Sequence, residues 1–88
     1  MANESVNDKR KRIFDEICRK IPDIDKERPY SIAVHDPCAI NNENDITVTR
    51  NSLQAAIRAL LELLDNDPGY TGEIFMYERR KRQTIYTK

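Results

Sequence analysis

Asn51 to Gly69 reads NSLQAAIRALLELLDNDPG, and this stretch decides what kind of fold the chain can make. Leu53, Ala56, Ile57, Leu60, Leu61 and Leu64 recur at the spacing that places side chains on one side of an α-helix. Leu63 widens the stripe, as a helix lying flat on a sheet requires. Asn51 suits the N-cap, because its side-chain oxygen can accept a first-turn N–H, and Gln54 stands where it can bond back. Asn66-Asp67-Pro68-Gly69 ends the helix, since proline cannot continue the ladder and glycine accepts the turn.

Downstream, Tyr70-Thr71-Gly72 leads into EIFMYERRKRQTIYTK, Glu73 to Lys88. An apolar run, Ile74-Phe75-Met76-Tyr77, meets the cations Arg79-Arg80-Lys81-Arg82, and Thr84-Ile85-Tyr86-Thr87 follows. Aromatic and β-branched residues on both sides of the basic tetrad predict two closing strands with the tetrad at or near their turn. Upstream, Tyr30 to Val34 alternates, with Tyr30, Ile32 and Val34 on one face and Ser31, Ala33 and His35 on the other. Ile46-Thr47-Val48-Thr49 alternates likewise. Asp36-Pro37 and the polar block Asn41-Asn42-Glu43-Asn44-Asp45 form a roomy turn between them, giving an antiparallel hairpin.

Further back, the prolines Pro22 and Pro29 bracket a charged linker. Before it, Val6, Ile13, Phe14, Ile17, Cys18 and Ile21 have helical spacing, and Ser5 with Asp8 resembles a capping box. Residues 1–5 read as a flexible start and residues 6–88 as a single domain. The order helix, strand, strand, helix, strand, strand predicts an α+β protein: a two-layer sandwich with an antiparallel sheet of three or four strands and both helices on one face. Strand order within the sheet does not follow from the pattern.

Composition bounds the function. A chain of 88 residues buries only about 60–65% of its unfolded surface, so homo-oligomerisation is a natural way to extend its core. Formal net charge is zero, unlike a general nucleic-acid coat, so any phosphate binding must be local. The balance is uneven: residues 1–28 carry +1, residues 29–67 carry −4 and residues 68–88 carry +3. The N-terminal sequence has charge but no apolar segment of the kind a signal peptide needs, and no stretch is long enough to span a bilayer. With two cysteines, Cys18 and Cys38, the expectation is a cytoplasmic protein with reduced thiols and no membrane partner.

Candidate chemistry is sparse. His35, Asp36 and Cys38 lie close in sequence, but a nucleophilic site needs an imidazole and an orienting group in space, and zinc needs four ligands. They read as a strand end beside a turn. Asn41, Glu43 and Asp45 alternate as calcium loops do, without the required glycine and terminal glutamate. With only Gly69 and Gly72, no phosphate-cradling glycine loop exists. The expectation is therefore no enzyme, no cofactor and no metal. Of the two basic clusters, Lys9-Arg10-Lys11-Arg12 would spread around a helix and is neutralised by Asp8, Asp15 and Glu16.

Partner binding is the remaining class. Both faces of the third strand are apolar, so either Ile74 and Met76 or Phe75 and Tyr77 must face away from the helices, beside Thr47 and Thr49. Aromatic and arginine side chains dominate interface energies. This selects Phe75, Tyr77 and Tyr86 as contact residues, with Arg79, Arg80, Lys81 and Arg82 as polar anchors. The expected function is a small regulatory or inhibitory protein-binding module that self-associates as a homodimer. The alternative is nucleic-acid binding by the same hairpin, with the open sheet face stacking bases.

Overall fold

The computed structural model describes residues 5–40 and 45–88. Among them the elements run α1 (Val6–Lys20), β1 (Tyr30–His35), β2 (Ile46–Arg50), α2 (Leu53–Asn66), β3 (Thr71–Glu78) and β4 (Lys81–Thr87). The strands form one antiparallel four-stranded sheet in the order β2-β1-β3-β4. The two helices cover one face, so the α+β sandwich is as the sequence predicts, with the upper of the two strand numbers. Except for Ser5 and Asp45, the expected flexible start at 1–5 and the polar turn at 41–45 lie outside the described residues.

Alternation in β1 organises the core. Tyr30, Ile32 and Val34 are buried toward the helices, and the register aligns Ile32 with Val48 on one side and Ile74 on the other. Against this row pack Leu53, Ile57, Leu60 and Leu64 of α2 and Ile13 and Ile17 of α1. α2 lies over β1, β2 and β3, and α1 lies beside it toward β4, where Glu16, Ile17 and Lys20 face Thr84 to Thr87. Gly72 makes the close seating possible. A Cβ there would stand 2.5 Å from Leu60 Cδ1, closer than carbon atoms approach, and 3.2 Å from Val34 Cγ1, a tight contact.

Helix ends follow local chemistry. Ser5 Oγ accepts from the Asp8 N–H at 3.1 Å, the N-cap read from the sequence. The cap of α2 differs from expectation. Ser52, not Asn51, holds the position and accepts from the Ala55 N–H at 3.2 Å. The Leu53 N–H is taken by the Lys26 carbonyl at 2.9 Å, and Gln54 Oε1 accepts from Arg10 Nη1 at 2.6 Å instead of reaching back to the cap. Tertiary contacts from the linker and α1 thus set the start of α2. At the other end the Asp67 N–H bonds the Leu63 carbonyl at 3.2 Å, just before Pro68.

Candidate functional site: an overhanging hairpin arm

The ladders on the two sides of β3 stop at different places. Pairing with β1 ends at Ser31 opposite Phe75, while pairing with β4 continues through Met76–Gln83, Tyr77–Arg82 and Glu78–Lys81. At about 3.4 Å per residue, the hairpin reaches roughly 10 Å beyond the last β1–β3 pair. Arg28, in the linker ahead of β1, braces this arm at its base. Its Nη2 donates to the Tyr77 carbonyl at 3.2 Å, and its guanidinium lies 6.0 Å from the Tyr30 ring centre. A cleft of about 300 Å³ lined by Ile24, Tyr30, Met76 and Ile85 runs along the helix side of the base.

The tip is a two-residue turn. Arg79 and Arg80 have φ of 53° and 65°, the signature of the type I′ connection whose twist matches the flanking strands. Sequences that favour it are Asn-Gly or Asp-Gly, because a side chain in the left-handed region costs about 1 kcal/mol or more. Two arginines therefore occupy positions where they oppose local stability. The basic tetrad is not one turn. Arg79 and Arg80 form it, and Lys81 and Arg82 open β4.

Phe75 and Tyr77 are the pair that faces away from the helices, in line with Ser31 and with Arg82 across the ladder. Phe75 is nevertheless only 4% exposed. The Arg82 guanidinium stacks 3.7 Å above its ring, and the Tyr77 ring meets it edge-on at 5.7 Å and 87°. Arg82 also pairs with the Glu73 carboxylate, which accepts from Thr84 Oγ1 at 3.5 Å. The apolar patch expected on this face is closed by the chain's own arginine. Tyr77, 58% exposed, remains open.

The seven residues selected from the sequence thus divide. Phe75, Tyr77 and Arg82 share the open face, Arg79 and Arg80 hold the tip, and Lys81 and Tyr86 lie on the helix side. Tyr86 pairs with Ile74 and is half-buried against the core beside α1. Burial pushes its phenol above the ordinary range; Glu16 acts in the same direction and Arg12 opposes it. Tyr86 therefore stands apart from the other six. Glu73 and Arg28 complete the site without having been singled out. Glu73 carries a signal, since it has the same strand parity as Phe75; Arg28 carries none in the sequence.

The rest of the open face is polar. His35, Asp45, Thr47, Glu73 and Arg82 line a groove of about 500 Å³. His35 Nδ1 lies 2.6 Å from Asp45 Oδ1, and Ser31 and Thr49 hydroxyls meet at 3.3 Å. The Cys38 N–H caps Asp36 Oδ1 at 2.9 Å in the turn after β1. Cys18 is half-buried and Cys38 exposed, both as free thiols. Among the described residues, no three His, Cys, Asp or Glu side chains are grouped so as to hold a metal ion, and no helix is long and apolar enough to cross a membrane. Comparison with protein-family models, with curated proteins and with solved structures gives no match.

Proposed function

We propose that this protein is a small non-enzymatic binding module that self-associates and regulates or inhibits a protein partner through the β3–β4 arm. Tyr77, Arg79 and Arg80 make the contact, and Phe75, Arg82 and Glu73 hold them in place. The observation that carries this reading is the tip. Two arginines sit in left-handed backbone conformations that Asn-Gly would occupy more cheaply, and strain of this kind marks positions kept for what the side chains do. A rigid arm with one exposed aromatic and two exposed arginines fits an acidic, partly apolar protein surface. Two free thiols suit a cytoplasmic setting.

Nucleic acid is the weaker reading. A base-stacking platform needs exposed rings, and Phe75 lies under Arg82. Arg82 is itself paired with Glu73, which leaves Arg79, Arg80 and Lys81 for phosphate. Three phosphate contacts would give a salt dependence of only about −2 to −3 in log K against log salt.

A photoreactive side chain at position 77, irradiated in host extract, tests the assignment. One saturable protein adduct, competed by the unmodified chain and lost in Arg79→Asn/Arg80→Gly, is the expected result. A nucleic-acid adduct with the salt slope above would transfer the site to the alternative. Adducts indifferent to the tip substitution would remove the arm from the function.

A further inference from the structure

The cleft at the base of the arm forms between the linker and the helix side of β3 and β4. The linker is held at two points: the Ile24 N–H bonds the Ile21 carbonyl at 3.1 Å, and the Tyr30 hydroxyl donates to the Asp25 carbonyl. Ile21 and Ile24 on the linker, with Tyr30, Met76 and Ile85 on the sheet, give the cleft of about 300 Å³ its apolar lining. Ile24 and Tyr30 are buried, but Ile21, Met76 and Ile85 stay half-buried, because α1 stops at Lys20 and does not run on over them. An occupant that takes this surface out of water gains free energy.

Two polar features of the same cleft define what fits it. Arg28 donates from Nη2 to the Tyr77 carbonyl, but its Nε is buried without a hydrogen-bond partner. A buried donor left unmatched is costly, and an acceptor from outside the chain removes that cost. Asp23 and Asp25 from the linker and Glu78 from the end of β3 also line the cleft, and all three are exposed. Among the described residues none of these carboxylates is in an ion pair, although Lys81 stands opposite Glu78 in the ladder. Arg28 is the one cation in the lining. The cleft thus combines an apolar floor, one unmatched donor and an excess of negative charge.

We infer that this cleft binds a short basic peptide segment of a partner protein. An aliphatic residue of the segment enters the pit between Ile24, Met76 and Ile85, a backbone carbonyl accepts from Arg28 Nε, and flanking lysine or arginine side chains meet Asp23, Asp25 and Glu78. Other occupants answer fewer of these features. An acidic segment is repelled by the carboxylates. A purely apolar ligand leaves both the donor and the charges unmatched. A single amine serves one wall only, whereas the carboxylates stand on both the linker and the arm, and an extended segment carries charge on each side of its aliphatic residue. β4 is an edge strand of the sheet, so the cleft is reached past Gln83 and Thr84 without crossing another strand. The surface lies on the opposite side of the arm from Phe75 and Tyr77 and does not depend on the role proposed for the tip.

The test titrates the full chain, labelled at its methyl groups for nuclear magnetic resonance, with two synthetic peptides: acetyl-Lys-Leu-Arg-Leu-Lys-amide and acetyl-Glu-Leu-Glu-Leu-Glu-amide. The basic peptide is expected to shift the methyl signals of Ile24, Met76 and Ile85 saturably, and the acidic one to leave them in place. Asp23→Asn/Asp25→Asn keeps an acceptor for the Glu27 N–H, which bonds Asp25 Oδ1 at 3.0 Å. It is expected to retain the circular dichroism spectrum of the natural chain and to raise the dissociation constant of the basic peptide roughly tenfold. The absence of a saturable shift up to the solubility of the basic peptide would overturn the proposal. So would shifts confined to methyl groups away from the cleft, such as those of Val48 and Leu63, equal binding of the acidic peptide, or an Asn variant that binds as tightly as the natural chain. None of these measurements involves Arg79 or Arg80, so the reading of the tip stands or falls on its own test.

Discussion

Replacing Arg79-Arg80 by Asn-Gly should make the protein more stable while disabling its arm. Both residues hold positive φ, 53° and 65°, and each side chain there costs about 1 kcal/mol at the lower end of the range. Asparagine tolerates the conformation and glycine is at home in it. Glycine also frees the unfolded chain, which returns about 0.5–1 kcal/mol of the gain. The net is about 1 kcal/mol, or roughly 4–8 °C in Tm for a domain of this size. Removing two neighbouring cations relieves some repulsion as well, and measurement in high salt screens that contribution. Urea unfolding is the appropriate assay, with a higher midpoint at unchanged slope as the expected result. Arg79→Ala/Arg80→Ala is the control. It removes the charges but keeps a side chain at positive φ, and its stability should stay within a few tenths of a kcal/mol of the natural chain's. A midpoint for the Asn-Gly variant at or below that of the natural protein would refute the reasoning. It would mean that the arginine side chains stabilise the fold and that no strain is held for recognition.

Three other perturbations address the body of the domain. Gly72→Ala forces a methyl group toward Leu60 Cδ1, 2.5 Å away; it should cost about 1–3 kcal/mol in thermal unfolding. Combining it with Leu60→Ala should cost less than the two single changes added. Arg82→Ala uncovers Phe75 and breaks the pair with Glu73, with an expected loss of about 1–2 kcal/mol; lysine should recover under half of it, because an ammonium cannot lie flat on the ring. Tyr30 is buried and donates its hydroxyl hydrogen to the Asp25 carbonyl. Burial raises its phenol above the ordinary value of 10.0, with Asp25 adding to the rise and Arg28 opposing it. Folding therefore favours the neutral phenol. That contribution is complete below the unfolded value and is lost as pH climbs through the folded one, at up to about 1.4 kcal/mol per pH unit. Stability measured against pH in the alkaline range should fall more gently in Tyr30→Phe.

Periodicity made the element order and the two-layer architecture legible, because burial on one face writes itself into sequence at intervals of two or between three and four. Strand order was not legible. Alternation in β1 is the same whichever neighbours it has. The facing of β3 was ambiguous for a specific reason: Ile74 with Met76 and Phe75 with Tyr77 are equally apolar. Gly72 contains the answer, since it shares parity with Ile74 and must lie under α2, where Leu60 leaves no room for a Cβ. Tyr86 shows the opposite failing. Its aromatic character marked it as a contact residue, yet the register shift between Ile74 and Phe75 places it with Ile74 on the helix side, and a one-residue irregularity of that kind leaves no periodic trace.

In the role proposed for the arm, stability and recognition would use different parts of this small domain, and the geometry explains how it would tolerate the division. The aliphatic core that holds the fold lies between the sheet and the helices. Phe75 is the exception, buried on the other face and covered by Arg82 rather than by a helix. This contact makes the arm an extension of the sheet instead of a loose loop, because β3 enters the arm directly from Ile74 and Phe75. A tip strained by about 2 kcal/mol is affordable against a total of roughly 5–15 kcal/mol only if the strands beneath it are well anchored. Arg28 and Arg82 supply that anchorage from two sides, one at the Tyr77 carbonyl and one on the Phe75 ring. A preorganised arm in turn loses little conformational entropy when a partner engages it. On the proposed function, the arginines that brace the arm are thus as necessary to it as the arginines at its tip, although neither Arg28 nor Arg82 needs to touch the partner.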